Sequence, residues 1–172
     1  MDNHWINQFI SRQKDFPKSG VIFQWYGALL RDPSAFREVM EVFIKRYQDK
    51  KAEVVLGLES RGFIFGSILA YELSLPFVLV RKCGRLPEPT FTMKFEHEYG
   101  MDCFEMEQSA LNPGQKILII DDLLATGGSM EAACRLAKRA QADILEAASM
   151  LEITSLKGRS RLSEPYFSLF QV

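Results

Sequence analysis

Apolar and polar positions along this chain follow two different periods. Near the N-terminus Trp5, Ile6, Phe9 and Ile10 recur at helical spacing, which predicts an amphipathic helix. Asp32-Pro33 is a helix-start signal, a side chain able to cap the first amides followed by a proline suited to the first turn. Phe36, Val39, Met40, Phe43 and Ile44 then form one apolar stripe of period 3.6. After this the pattern changes to short continuous apolar runs. Residues 53–58 (EVVLGL), 76–80 (PFVLV) and 116–120 (KILII) read as strands buried on both faces, the third opened by the turn signal Asn112-Pro113-Gly114. Helical patterns over 62–73 and 129–139 follow the first and third of these. Residues 144–151 make a fourth strand and 166–171 an edge strand. Strand and helix in alternation, with short connections, predict an α/β fold with a mostly parallel central sheet flanked by helices. In such sheets ligands sit beyond the carboxyl ends of the strands.

Residues 81–111 break this rhythm. They are rich in charge, proline and aromatics, and a stretch that long inside a compact domain usually carries function or its own small strands. Residues 90–96 and 102–107 predict a hairpin, an insertion placed to form a small hood over a site. No repeat or linker divides the chain, so a single domain over residues 1–172 is expected.

Composition narrows the function classes. The 172 residues carry 21 Lys+Arg and 22 Asp+Glu, a formal net charge of −1, which lacks the broad basic surface of a nucleic-acid binder. Apolar content of 47% and charged content of 25% exclude disordered, collagenous and coiled-coil classes. The greasiest stretch, residues 63–80, is interrupted by Ser67, Glu72, Ser74 and Pro76, so no membrane span is expected. Met1-Asp2-Asn3 open the sequence without a basic or apolar leader pattern, so no signal peptide is expected. Cys83, Cys103 and Cys134 are few, odd in number and widely spaced, and His4 and His97 add no zinc spacing. Three reduced thiols in a cytoplasmic protein are expected.

The chemistry concentrates in ILIIDDLLATGGSM, residues 117–130. An apolar strand delivers Asp121 and Asp122 at its end, and Thr126-Gly127-Gly128-Ser129 then opens a helix. Glycines let backbone N–H groups approach a ligand closely, and a helix N-terminus favours an anion. The Thr126 and Ser129 hydroxyls can donate to the same anion, while the carboxylates can accept from vicinal hydroxyls. A phosphate and a diol bound side by side describe a ribose 5-phosphate. Neither the dinucleotide pattern G-x-G-x-x-G nor the P-loop pattern is present, so the phosphate loop is of another kind.

The strand, acid pair and T-G-G-S loop resemble the signature of the type I phosphoribosyltransferase family. DFPKSGVIF (15–23), LLRDPSAF (29–36), GLESRGFIFG (57–66), ELSLPFVLVRKCGRLP (72–87), EYG (98–100) and LEITSLKGR (151–159) resemble its adenine-specific branch. The resemblance runs from about residue 15 to the end. It implies the type I phosphoribosyltransferase fold with a hood drawn from the N-terminal segment and the 81–111 insertion. It also implies the reaction of adenine with phosphoribosyl pyrophosphate, giving AMP and pyrophosphate with Mg2+. Carried over by position, Ala125, Thr126, Gly127, Gly128 and Ser129 match the 5-phosphate loop, and Asp121 and Asp122 the acids at the ribose hydroxyls and near the Mg2+. Ser60 and Arg61 match a pyrophosphate loop whose peptide is often cis. Arg81, Lys82 and Arg85 match basic residues at the pyrophosphate, in part serving a neighbouring subunit. Glu98 and Tyr99 match a mobile catalytic loop, with Glu98 the candidate acid or base and Arg61 a candidate for neutralising the leaving group. Ile22, Phe23, Gln24 and Ile153 match the adenine slot. Where the family usually shows Arg-Asp after Phe23, this chain has Gln24-Trp25.

The resemblance further implies a cytoplasmic homodimer acting in purine salvage, with no nucleic-acid or membrane partner. Two other readings share the fold: a 6-oxopurine phosphoribosyltransferase, and a non-catalytic regulator that senses phosphoribosyl pyrophosphate. The second has no spare length here for a helix-turn-helix, and the GLESRGF and EYG segments favour adenine over a 6-oxopurine.

Overall fold

The protein is described from a computed structural model covering residues 3–16, 18–20, 22–87, 89–97 and 100–172. Its chain divides into two compact units, Met1–Val42 and Phe43–Val172.

The smaller unit opens with a 3-10 helix at Asn3–Phe9, where the sequence pattern predicts an α-helix. Seven residues without acidic groups in the first turn or basic groups in the last give an α-helix little to offset its nucleation cost. The apolar spacing still buries Ile6, which is 1% exposed, and sets the Trp5 and Phe9 rings edge to face. Strands β1 (Ser11–Lys14) and β2 (Ile22–Trp25) pair antiparallel from Ser11↔Trp25 to Lys14↔Ile22. The Asp15 carboxylate accepts from the Gly20 amide at 2.7 Å, closing the connection. Helix α1 (Gly27–Arg31) leads to α2 (Pro33–Tyr47). The α2 start follows its sequence signal closely. Asp32 Oδ1 accepts from the Ser34 and Ala35 amides, each at 3.0 Å.

The larger unit takes the last turn of α2, then β3 (Val54–Leu58), α3 (Gly62–Glu72), β4 (Phe77–Lys82), β5 (Thr90–His97), β6 (Gly100–Glu107), β7 (Lys116–Leu124), α4 (Gly128–Arg139), β8 (Asp143–Glu152) and β9 (Tyr166–Gln171). They form one seven-stranded sheet in the order β5-β6-β4-β3-β7-β8-β9. From β4 to β9 every neighbouring pair is parallel, and β5 and β6 join antiparallel at one edge. This is the mixed α/β architecture that the pattern predicts. Every residue of β3 is buried, as expected of a strand covered on both faces.

Two elements of this unit differ from the sequence expectation. Strand β7 does not stop at Ile120 but runs through both acids to Leu124, because β8 continues beside it, pairing Asp121↔Ser149, Leu123↔Leu151 and Leu124↔Glu152. The hairpin of the 81–111 region extends the central sheet itself, with β6 paired to β4 at Arg81↔Glu105 and Lys82↔Phe104. Phe95 and Phe104 pack at 4.6 Å between ring centroids within that hairpin and are both buried. A polar cluster joins the end of α2 to β8. Glu146, on β8, accepts from Arg46 Nε at 2.6 Å and the Tyr47 hydroxyl at 2.8 Å, with Lys50 Nζ at 3.6 Å. Burial opposes ionisation of Glu146, but the bonds from Arg46 and Tyr47 hold its carboxyl below the ordinary value of 4.5.

Candidate active site

The carboxyl ends of β3, β4 and β7 meet the hairpin around a cavity of about 490 Å3. Three chain segments build it. Beyond β3 come Glu59, Ser60 and Arg61, with a cis peptide between Glu59 and Ser60, and Arg61 directly precedes α3. Beyond β7, residues 125–128 turn into α4. Lys82 at the end of β4 and Arg85 beyond it reach the same space. This is the strand-end position at which open α/β sheets take ligands.

The 125–128 loop is shaped by backbone contacts. Gly127 has φ +86, in the left-handed region, and a Cβ there would strike the carbonyl oxygen of Gly158. A Cβ on Gly128 would strike the Glu96 carbonyl oxygen, and one on Gly158 the Ala125 carbonyl oxygen. The loop is thus wedged between a hairpin strand on one side and Gly158 on the other, and the first residues of α4 line the cavity. Arg159 fixes that second wall. Its guanidinium is bidentate to Glu152, Nε to Oε1 at 3.1 Å and Nη2 to Oε2 at 2.6 Å.

The acid pair lies between the phosphate-type loop and the cations. Asp121 Oδ1 accepts from the Asp122 amide at 2.8 Å, and Asp122 Oδ2 stands 3.0 Å from Arg61 Nε. Burial of its carboxyl and the adjacent Asp122 carboxylate push Asp121 well above the ordinary carboxylate range. The donor set suits a hard cation shared with a substrate. Two neighbouring carboxylates are present, and among the described residues no group of three or more His, Cys, Asp or Glu forms a metal cage of its own. Mg2+ is typically held that way, by one or two carboxylates plus substrate oxygens.

Each cation at the cavity has an acidic partner. Arg61 pairs with Asp122, Lys82 Nζ lies 2.7 Å from Asp102 Oδ2, and Arg85 meets Glu59. Glu59 also accepts from the Lys82 amide at 2.9 Å, and Glu105 accepts from the Arg85 and Leu86 amides at 2.6 and 2.7 Å. Burial opposes ionisation of Glu59 and Glu105, yet these amides and the nearby guanidinium groups hold both below 4.5. Glu59, Asp102 and Glu105 escape the sequence reading. An acid closing an apolar strand beside Ser60-Arg61 is a signal for Glu59. Asp102 and Glu105 become legible only once the hairpin register is known.

The cavity gathers Ser60, Arg61, Lys82, Arg85, Asp121, Asp122 and residues 125–129. Arg81 does not line it; its Nε lies 3.4 Å from Glu59 Oε2 and its Nη1 donates to the Arg85 carbonyl at 3.1 Å, bracing the loop from behind. Glu98 and Tyr99 lie outside the described residues. Ile22, Phe23 and Gln24 lie on β2 of the smaller unit, Ile22 half exposed and Gln24 buried. Ile153 follows β8 in the larger unit, its amide donating to the Leu124 carbonyl at 2.9 Å.

The expectation of three reduced thiols is corrected. Cys83 and Cys103 form a disulfide, and Cys134 is a buried thiol pushed up to about 12 by burial and the neighbouring Glu164. Twenty residues separate the two half-cystines in sequence, but the β4–β6 register sets them side by side, with Cα atoms 5.4 Å apart and the Cys83 amide donating to the Cys103 carbonyl at 3.0 Å. Among the described residues no helix is long and apolar enough to cross a membrane.

Comparison with known proteins agrees with this geometry. Residues 26–171 match the family described as phosphoribosyl transferase domain. A relative named adenine phosphoribosyltransferase, from Homo sapiens, is 45% identical over 170 residues, covering 96% of this chain and 94% of its own. The crystal structure of adenine phosphoribosyltransferase from Saccharomyces cerevisiae, complexed with an imino-altritol bisphosphate and adenine, superposes with a TM-score of 0.90 at 37% identity, covering 96% of this chain and 97% of that one. The Trypanosoma brucei enzyme, in complex with AMP, pyrophosphate and ribose-5-phosphate, superposes with a TM-score of 0.91 at 25% identity, covering 98% of this chain and 78% of that one. Matched over residues 26–171, more than half of its length, this chain belongs to the phosphoribosyltransferase family.

Proposed function

We propose that this chain is an adenine phosphoribosyltransferase of purine salvage. It transfers the 5-phosphoribosyl group of phosphoribosyl pyrophosphate to adenine and releases AMP and pyrophosphate. The observation that carries the reading is the convergence, in one cavity, of the 125–129 loop, the Asp121–Asp122 pair and the cations Arg61, Lys82 and Arg85. The ligands named for the yeast and trypanosome enzymes are those this cavity's chemistry suits.

The loop amides and the Thr126 and Ser129 hydroxyls bind the 5-phosphate, and the α4 N-terminus adds its partial positive charge. Asp121 and Asp122 accept from the ribose hydroxyls. The bond from C1 to pyrophosphate breaks as a base ring nitrogen attacks, which leaves positive charge on the ribose and a polyanionic leaving group. Ser60, Arg61, Lys82 and Arg85 hold those leaving oxygens, and pre-placed charge of this kind is usually the largest catalytic contribution. Bound Mg2+ supplies further positive charge at the pyrophosphate, with Asp121 and Asp122 the residues of this chain that would hold it. Glu98 takes the proton that adenine releases, and Tyr99 closes the same loop against water. Ile22, Phe23, Gln24 and Ile153 recognise the base. Arg81 supports the Arg85 loop and, in a two-fold homodimer, faces the neighbouring site. The setting is cytoplasmic.

The test is AMP formation from adenine and phosphoribosyl pyrophosphate with Mg2+, with hypoxanthine and guanine as controls. Adenine is expected to exceed both by at least about tenfold in kcat/KM, since a reversed donor pattern leaves buried groups unpaired. Equal rates with hypoxanthine or guanine overturn the base assignment. Sedimentation of a fully active monomer overturns the dimer.

A further inference from the structure

Cys83 directly follows Lys82, and Cys103 directly follows Asp102. Lys82 Nζ lies 2.7 Å from Asp102 Oδ2, and both side chains line the cavity. The disulfide therefore clamps the two strand positions that carry this ion pair. The clamp matters because it is the covalent link between β4 and β6, beside the Cys83 amide's bond to the Cys103 carbonyl at 3.0 Å. Their ladder holds only Arg81↔Glu105 and Lys82↔Phe104, and the disulfide comes one step beyond the second. Cys83 is exposed and Cys103 half-buried, so a small thiol can reach the bond from the Cys83 side. While the clamp is closed, Lys82 faces a carboxylate at the cavity wall, and any polyanion must compete with Asp102 for it.

We propose that Cys83–Cys103 is a thiol–disulfide exchange site that sets the affinity of the cavity for pyrophosphate. The proposal rests on the reading of Lys82 as a pyrophosphate-facing cation. The reductant is a small dithiol. One of its thiolates attacks Cys83 Sγ; the protein S–S bond breaks, its electron pair goes to Cys103 Sγ, and that sulfur takes a proton. The second thiolate of the reagent then attacks the reagent's own sulfur in the mixed disulfide, and Cys83 leaves as a thiolate that takes the second proton. The reagent departs as a cyclic disulfide, so two electrons have passed from its sulfurs to the two cysteines, and the oxidised reagent runs the exchange backwards. In the opened form the covalent link is gone, and hydrogen bonds alone hold residue 82 near residue 102. Lys82 then turns from a single carboxylate to a ligand of higher negative charge. In compartments rich in reducing thiols, a protein disulfide is usually transient and responsive in this way.

The experiment is calorimetric titration of the full chain with pyrophosphate at fixed Mg2+, after equilibration with either oxidised or reduced dithiothreitol. Mass spectrometry after alkylation records the state of Cys83 and Cys103, and ribose 5-phosphate is titrated as the control ligand. Reduction is expected to tighten pyrophosphate binding about three- to fivefold, the scale of one partly exposed ion pair, and to leave ribose 5-phosphate unchanged. The Cys83→Ser/Cys103→Ser double variant binds like the reduced form in both buffers, and Asp102→Asn removes most of the difference. Equal pyrophosphate affinity in the two wild-type forms overturns the proposal without recourse to any variant. So does an undiminished redox effect in Asp102→Asn, or cysteines that stay fully alkylatable after oxidation. If ribose 5-phosphate binds and pyrophosphate binds in neither form, the pyrophosphate reading of Lys82 falls, and this proposal with it.

Discussion

Arg61 Nε stands 3.0 Å from Asp122 Oδ2, and this contact joins the loop beyond β3 to the end of β7 across the floor of the cavity. The cation proposed for the leaving group and the acid proposed for the ribose are therefore set by one another before any ligand arrives. Asp122 is 4% exposed, so its charge works in a partly desolvated place. Asp122→Asn keeps the shape but removes the counter-charge and one hydroxyl acceptor. The expected outcome is a fall in kcat/KM for phosphoribosyl pyrophosphate of about 100-fold, the usual effect of deleting one pre-placed electrostatic group. Steady-state kinetics with a parallel melting curve check it. A rate within about threefold of wild type removes Asp122 from the site.

Gly158 belongs to no recognised phosphate motif, yet its backbone forms one wall of the 125–128 loop. A Cβ there would meet the Ala125 carbonyl oxygen, with the Gly127 nitrogen at 2.8 Å. Gly158→Ala must push the loop aside. It is expected to weaken ribose 5-phosphate and AMP at least about tenfold and pyrophosphate much less, because only the first two carry the 5-phosphate. Calorimetric titration of the three ligands decides it, and equal weakening of all three contradicts the loop assignment.

Much of this was readable in the chain before the fold was known. Asp32-Pro33 capped α2, the KILII run became β7, and T-G-G-S opened α4 at a strand-end cavity, because each of these signals is local and carries its own physics. What stayed hidden depends on long-range register. Glu105 and Asp102 face the Lys82–Leu86 loop only because β6 pairs antiparallel with β4, and the same pairing brings Cys83 to Cys103 across twenty residues of sequence. A hairpin that could stand apart as a hood and one that extends the main sheet have the same alternating pattern, so the sequence could not separate them. The extension of β7 past Ile120 was concealed likewise, since two aspartates are poor strand formers and only the neighbouring β8 keeps them in line.

Arg159 locks the Gly158 wall through its two-point grip on Glu152, whose carboxyl the Arg159 bonds hold below 4.5 despite burial. A lysine cannot reproduce that planar fork. Arg159 is nearly half exposed, so the cost is modest. Arg159→Lys is expected to destabilise by about 1 kcal/mol and lower Tm by about 2–4 °C. It should also raise KM for phosphoribosyl pyrophosphate more than it lowers kcat, as loosening the wall softens the phosphate loop. An unchanged KM with a lowered Tm would restrict Arg159 to a purely structural role.

Glu146 gives the fold a dependence on acid through its own bonds to Arg46 and Tyr47. It accepts from Arg46 Nε at 2.6 Å, Arg46 Nη2 at 2.8 Å and the Tyr47 hydroxyl at 2.8 Å, with a side chain only 7% exposed. These bonds favour the ionised carboxylate more in the folded chain than in the unfolded one, so the folded value lies below 4.5. The sign follows from linkage. A carboxyl depressed on folding contributes its full stability above the unfolded value and loses it as pH falls through the folded one. Glu146→Gln removes the charge but keeps an oxygen acceptor, so it should cost about 2 kcal/mol at pH near 7, the scale of hydrogen bonds to a charged group. The gap between wild type and variant should stay constant down to a pH of about 4.5 and close below it, because the wild-type carboxyl then carries a proton as well. Denaturant melts of both proteins across that range check this. A gap that persists undiminished in acid would mean that Glu146 contributes by packing rather than by charge, and the Arg46–Tyr47 grip would not be the source of its stability.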